Sequence, residues 1–278
     1  MPNPHTAPAG VPTDRSSQSA NEHHQHGKRL ARASSACGTC SIAQCCAPHL
    51  LLPELETRPT HTRILTRGSV LLEQGADYQT LFVVRSGSFK ASMTSGDGRE
   101  QITGFHLPGD VLGLDGLSSG LHGCRVQALE TASVCHLPVL GWPGVLRDSP
   151  LFARAMRRML SAEIVRMQSL MLLLGTAGAT ERVAAFLLSL SARHARRGLS
   201  ARRFQLSMSR DEIASYLGLA METVSRQFTR FQHDGVLHVE RRAIEIRDMP
   251  ALIQLAGGPA AHRDDQAEVL PGACADGN

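Results

Sequence analysis

Tryptophan, tyrosine and lysine are scarce in this 278-residue chain: one Trp, two Tyr, and lysine only at positions 28 and 90. With aromatics at 4%, a core drawn from the 42% hydrophobic content must be filled by Leu, Val, Ile and Ala. No apolar run reaches the ~18 residues of a spanning helix, which argues against a membrane segment. The first residues lack a charged head followed by an apolar stretch, so no secretory signal is expected and the cytoplasm is the expected location. There the seven cysteines should stay reduced, which sets aside a disulfide-framed secreted fold. No acid–base or nucleophile constellation stands out, and the chain does not read as an enzyme. The net charge of +4 is too small to identify a nucleic-acid binder by itself.

What is present changes character along the chain. Residues 1–36 are rich in Pro, Ser, Ala and His, cannot offset their ordering entropy, and are expected to be a disordered tail; residues 257–278 read the same way. Residues 37–49 form a cysteine-rich loop. Residues 50–149 show short apolar runs broken by glycine, such as Leu81–Val84 and Phe89–Met93, with turn signals at Gly75, Gly87 and Gly96–Gly98. That spacing predicts a β-sandwich or roll, with a hairpin joining Phe89–Met93 to Gln101–Phe105. After Pro150 the period changes. Leu160, Ile164, Met167, Met171 and Leu174 recur at 4-3-4-3 spacing and draw one apolar seam along a helix over 150–175. The seam could pack on the chain's own β-domain; a dimer interface is favoured because the helix is long and joins two zones of different composition.

Residues 176–256 carry the clearest signal. From Thr180 to Arg247 there are 12 Arg against seven acidic residues. Ser209-Arg-Asp-Glu212 is a capping box opening a helix that halts at Gly218. A second helix from about Met221 to His233 follows, with Val224, Phe228 and Phe231 as core positions, closed by Asp234-Gly235. Two short helices around a tight glycine turn make a helix-turn-helix, and the segments around Arg241-Arg242 read as a hairpin wing. Glu222, Ser225 and Arg226 stand at i, i+3 and i+4 near the start of the second helix, the part that enters the major groove in this motif. Arg can donate twice to guanine, Glu can accept from a cytosine amine, and Ser suits a base edge or phosphate. The competing reading is a solvated helix with an internal Glu222–Arg226 pair. The other arginines, Arg210, Arg230, Arg241 and Arg242, read as phosphate contacts or plain surface.

The thiol cluster Cys37-Gly-Thr-Cys40-Ser-Ile-Ala-Gln-Cys45-Cys46 places four sulfurs within ten residues. No second Cys-x-x-Cys follows, as a structural zinc site would usually require. Three close thiolates and a distant fourth would suit an iron–sulfur cluster, with Cys124 and Cys135 as candidates for the fourth. Spacing alone leaves iron–sulfur, zinc and unligated thiols open.

Taken together, the order of thiol loop, glycine-rich roll, long helix and winged helix-turn-helix resembles the FNR regulators, the oxygen-sensing branch of the CRP family. The resemblance rests on Cys37-x-x-Cys40-Ser-Ile-x-x-x-Cys46, Gln101-Ile-Thr-Gly-Phe-His-Leu-x-Gly-Asp110, Gln127-Ala-Leu-Glu-Thr-x-x-Val-Cys135 and Tyr216-Leu-Gly-Leu-x-x-Glu222-Thr-x-Ser225-Arg226. It implies an α+β fold: a cyclic-nucleotide-binding-like β-roll, a long dimerisation helix and a C-terminal winged helix-turn-helix. It further implies a 4Fe–4S cluster on Cys37, Cys40, Cys46 and Cys135, and base contacts from Glu222, Ser225 and Arg226. Without oxygen the cluster would favour a homodimer that binds palindromic double-stranded DNA near promoters of anaerobic metabolism. Oxygen would convert it to 2Fe–2S and release the dimer. RNA polymerase would be touched by the Ser95–Glu100 hairpin tip.

Three departures qualify the resemblance. Cys45 adjoins a ligand position, Ala220 stands where a Thr often caps the recognition helix, and Met167 puts an apolar residue where an acidic one would weaken the cluster-free dimer. The rivals are a regulator gated by nitric oxide, haem or a cyclic nucleotide, and an iron–sulfur electron carrier. Against cyclic nucleotide, Pro108-Gly-Asp110 and Cys124-Arg-Val126 lack the Glu and the Arg-Ser/Thr-Ala that cradle its phosphate. For haem, His106, His122 and His136 are available but none is singled out. A carrier would not explain the helix-turn-helix.

Overall fold

A computed structural model describes residues 33–36, 46, 59–137 and 150–258. The chain first builds two antiparallel sheets. One runs β1-β2-β9-β4-β7, from β1 (Ala33–Ala36), β2 (Pro59–Leu65), β4 (Leu81–Ser86), β7 (Val111–Leu112) and β9 (Ala132–Leu137). The other runs β3-β8-β5-β6, from β3 (Val70–Leu72), β5 (Phe89–Thr94), β6 (Glu100–His106) and β8 (Arg125–Ala128). The sheets enclose a core of Leu65, Phe82, Val84 and Val134 from the first and Leu72, Phe89, Ala91 and Val126 from the second. The glycine punctuation earns its place at Gly87: its φ is +72°, and a Cβ there would meet the Ala132 backbone at 2.7 Å.

The expected hairpin is β5–β6, with Met93 opposite Gln101. One boundary needs correction. Residues 33–36 fall in the stretch read as an unstructured tail, yet they pair with β2, Ala33 opposite Thr62 and Ala36 opposite Pro59. The small residues Ala-Ser-Ser-Ala gave no alternation of large apolar side chains to betray an edge strand. Of the stretch read as the second tail, Gly257 and Gly258 close the last helix, their amides donating to Gln254 O at 3.1 Å and Ile253 O at 2.9 Å; the remainder of both tails lies outside the described residues.

β4 and β9 are apolar on both faces. Phe82, Val84, Ala132 and Val134 point into the roll, while Leu81, Val83, Cys135 and Leu137 form a second cluster on its outer face. A short helix, α1 (Gly116–Ser119), sits in the connection between the sheets.

The long helix α2 (Pro150–Thr176) then crosses the roll. It has two faces. Met156 and Met159 pack on the outer cluster of the roll, Glu163 and Arg166 lie against β6, and Leu173 reaches the downstream core. These positions, spaced by three, four or seven residues, are the face the chain uses for itself. The apolar seam lies one step round and faces outward: Leu160 is 36% exposed, Ile164 and Met167 55% each, and Met171 73%, with Leu174 half-buried.

Helix α3 (Ala179–Ala195) begins the C-terminal module, followed by β10 (Arg203–Gln205), α4 (Arg210–Leu217), α5 (Met221–His233), β11 (Leu237–Glu240), β12 (Ala243–Ile246) and α6 (Met249–Leu255). Its core gathers Val183, Leu187, Ile213, Leu217, Val224, Phe228, Phe231, Ile244 and Leu252. Ile102, Phe105, Leu107 and Leu129 of the roll belong to the same cluster, so roll and C-terminal module share apolar packing.

Candidate functional site

The DNA-reading segment is built as its residues dictate. Ser209 Oγ accepts from the Glu212 amide at 3.1 Å and the Glu212 carboxylate accepts from the Ser209 amide at 2.8 Å, so two of the orphan donors at the start of α4 are met. Gly218 ends α4 in the left-handed region, φ 59°. Helix α5 buries Val224, Phe228 and Phe231, which turns Glu222 and Arg226 to solvent with Ser225 half-buried beside them. Arg226 donates to Thr223 Oγ1 at 3.3 Å instead of pairing with Glu222, so both charged tips are available. Ala220 precedes α5 with extended backbone and no side-chain cap.

Arg241 and Arg242 form the two-residue tip between β11 and β12, and Arg241 holds a φ of 54°, rare for a residue with a side chain. Arg210, read from sequence as a phosphate contact or surface, instead lays its guanidinium over the Phe228 ring at 3.3 Å. Burial there pulls its pKa down to about 10.

The thiol candidates separate cleanly. Cys46 packs against the outer cluster of the roll that holds Cys135, together with Leu81, Val83, Leu137, Met156 and Met159. Cys135 sits in mid-sheet, opposite Thr62 on β2 and Val83 on β4. Cys124 lies elsewhere, against the roll's inner core, and its Sγ donates to Asp115 Oδ2 at 3.5 Å. Burial and the Asp115 charge push its thiol up to about 12, which disfavours the thiolate a metal needs. Cys37, Cys40 and Cys45 lie outside the described residues.

Asp115 Oδ2 accepts from the Gly123 and Cys124 amides, at 2.6 and 3.1 Å, and Tyr78 packs so closely on Gly116 that a Cβ there would meet its ring at 2.6 Å. Of the three histidines, His106 and His122 are buried and His136 stacks edge-on to Phe82 at 5.4 Å.

Sequence reasoning missed how the modules meet. Arg193 on α3 donates to Phe105 O at 2.8 Å and to Asp110 Oδ2. Asp110 also accepts from the Leu107 amide at 2.8 Å and lies 3.9 Å from His106 Nδ1. Arg166 pairs with Glu163 beside this group, Nε to Oε2 at 3.0 Å. Nearby, Lys90 Nζ meets Glu212 Oε1 at 3.1 Å, the Ile102 amide donates to Ser215 Oγ at 3.1 Å, and Phe105 packs on Phe186 and Tyr216 at 6.0 and 5.1 Å between centroids. Arg182 ties the end of α2 to the end of α4 through Leu174 O, Ala177 O and Leu217 O at 2.8–3.0 Å. The pairs that join one module to another are separated by tens of residues and leave no periodic trace, so they were not legible.

A roll of the cyclic-nucleotide-binding type, joined through a long helix to a winged helix-turn-helix, defines a DNA-binding transcription regulator. Two family models agree: a cyclic nucleotide-binding domain over residues 62–147 and a Crp-like helix-turn-helix domain over residues 181–255. The chain is 44% identical over 226 residues to the transcriptional activator protein anr of Pseudomonas aeruginosa, covering 80% of this chain and 93% of that protein. It is 41% identical over 225 residues to the fumarate and nitrate reduction regulatory protein of Escherichia coli, covering 80% and 90%. Among solved structures, FixK2 from Bradyrhizobium japonicum matches with a TM-score of 0.65 and 32% identity, over 70% of this chain and 96% of that one. The chain belongs to the CRP/FNR family, in its FNR-type branch. No helix among the described residues is long and apolar enough to cross a membrane.

Proposed function

We propose that this regulator is an oxygen-responsive activator working in the cytoplasm, with a 4Fe–4S cluster held by Cys37, Cys40, Cys46 and Cys135. The observation that carries the reading is the meeting of Cys46 and Cys135 in one apolar cluster against Met156 and Met159 of α2. Two thiols from distant parts of the sequence fit the donor set of an iron–sulfur site, and the apolar surround fits the burial such sites use. A cluster bound there would supply an oxygen-labile cross-link between the N-terminal loop and the roll. Cys135 fixes that link to mid-sheet, and Met159 sits in the same cluster, so the packing of α2 depends on the state of the thiols.

From there α2 presents Leu160, Ile164, Met167, Met171 and Leu174 to a second copy. The homodimer sets two recognition helices about one DNA turn apart, ~34 Å, for a two-fold symmetric site. Glu222, Ser225 and Arg226 read base edges. RNA polymerase would be met by the Ser95–Glu100 tip, where Asp97 and Arg99 are paired at 2.8 Å.

The test is anaerobic purification with iron and sulfide analysis and optical and Mössbauer spectra before and after air. Operator binding is measured in parallel on the duplex that this protein enriches from random DNA. Air-bleached visible absorption with parallel loss of binding is expected. Cys135→Ser should abolish both, while Cys124→Ser and Cys274→Ser should leave both. Iron-free, colourless protein that binds at full strength would overturn the reading.

A further inference from the structure

The reader module has two kinds of attachment. One is covalent: α2 runs through Ala177-Gly178 into α3, and Arg182 ties that junction to the end of α4. A body held at one hinge can swing. The other is non-covalent and fixes its angle: the apolar core shared with Ile102 and Phe105, the Lys90–Glu212 pair, the Ile102–Ser215 bond, and the group around Asp110, where three modules meet. Asp110 and His106 come from the roll, Glu163 and Arg166 from α2, and Arg193 from the reader.

We propose that Asp110 is a positioning residue that makes the angle of the reader answer to the packing of α2 on the roll. The geometry gives a short route. Met159 packs in the cluster that contains Cys46 and Cys135. Arg166 lies seven residues further along the same helix, two turns or ~10 Å. It passes so close to β6 that a Cβ on Gly104 would come within 3.3 Å of its Nη2 and 3.2 Å of His106 Nε2. A shift of α2 at Met159 therefore moves the Glu163–Arg166 pair against His106 and Asp110.

Asp110 passes the shift on because one oxygen, Oδ2, serves both the Leu107 amide and Arg193. Arg193 in turn holds Phe105 O, on the strand whose Ile102 amide bonds Ser215 of α4. None of these residues touches the reading face of α5, so their effect on DNA is one of placement. Two recognition helices that must reach successive grooves tolerate little error in angle.

This proposal rests on the DNA-binding part of the function above and not on the identity of the cofactor. The experiment compares full-length wild-type protein, Asp110→Asn, Arg193→Lys and the double variant. Affinity is read by fluorescence anisotropy on the duplex enriched from random DNA, and hydrogen exchange is followed over Ile102–His106 and Arg210–Leu217. Each single change should weaken binding about tenfold, within the usual range of coupling between sites. The double variant should bind no worse than the weaker single. Exchange should rise in both segments in every variant, with helix content unchanged.

Affinities within twofold of wild type, or penalties that multiply in the double variant, would overturn the assignment; so would unchanged exchange. Arg193→Lys keeps the charge and carries the test if Asp110→Asn fails to fold. Because exchange is read with or without iron, a failure of the cofactor reading leaves this test intact.

Discussion

At the scale of single residues, the reading face and its support differ in what they owe to side-chain chemistry. Arg226 is exposed, and its one bond is a long one to Thr223. On the proposed base-reading role, replacing it by Ala should cost about 1–3 kcal/mol of discrimination at one base pair while leaving stability unchanged, measured by binding to a panel of single-base variants of the enriched duplex. Ala220 is the opposite case. Its extended backbone is already that of a helix cap, but it offers no oxygen to the orphan amides of α5. Ala220→Thr should raise stability by about 1 kcal/mol, seen in urea unfolding, without a new fold. Both positions were legible because helix starts are written in local sequence: the Ser209–Glu212 capping box and Gly218 announce α4 and its turn. Arg210 was not, because its partner Phe228 is 18 residues away and only the folded module stacks them.

At the scale of elements, α2 shows how a period can be read correctly and still understate a helix. The 4-3-4-3 recurrence from Leu160 to Leu174 picked out an apolar stripe, and most of that stripe is exposed in the single chain. The face that packs on the chain's own domains passes through Met156, Met159, Glu163, Arg166 and Leu173. Its middle is charged, so hydrophobic periodicity passed over it. The open stripe carries a prediction. Met167 is 55% exposed at the centre of the stripe, where a partner copy would bury it twice. Cluster-free wild-type protein should therefore retain a measurable fraction of dimer in sedimentation at micromolar concentration. Met167→Asp should raise its dissociation constant roughly tenfold or more, since two unpaired carboxylates would enter an apolar contact. An apo protein that is monomeric at that concentration would remove the seam from the account.

At the scale of the whole molecule, the core of the reader includes Ile102, Phe105, Leu107 and Leu129 from the roll, and the charged group at Asp110 lies beside that shared core. His106 gives this junction a pH signature. It is buried, and Arg166 faces it from α2, Arg193 from α3, Glu163 from α2 and Asp110 from its own loop. Burial, reinforced by the Arg166 charge, pushes it down to about 4 against the attraction of Asp110 and Glu163. The neutral ring leaves two arginines balanced by two carboxylates, and a proton on it would upset that balance. Because the unfolded chain takes up the proton near pH 6.5 and the folded one only near 4, the unfolded state binds more protons in between. Stability should therefore be fully present above pH 6.5 and fall as the pH drops toward 4, with His106 contributing about 1–2 kcal/mol of the loss by pH 5. Asp110 and Glu163 are held below their usual range, so their contributions fade only at still lower pH. Urea unfolding at pH 7 and pH 5, in wild type and His106→Gln, isolates the effect. The variant should be less sensitive to acid by that amount, and an equal pH dependence in the two proteins would mean that this ring is not the titrating group at the junction.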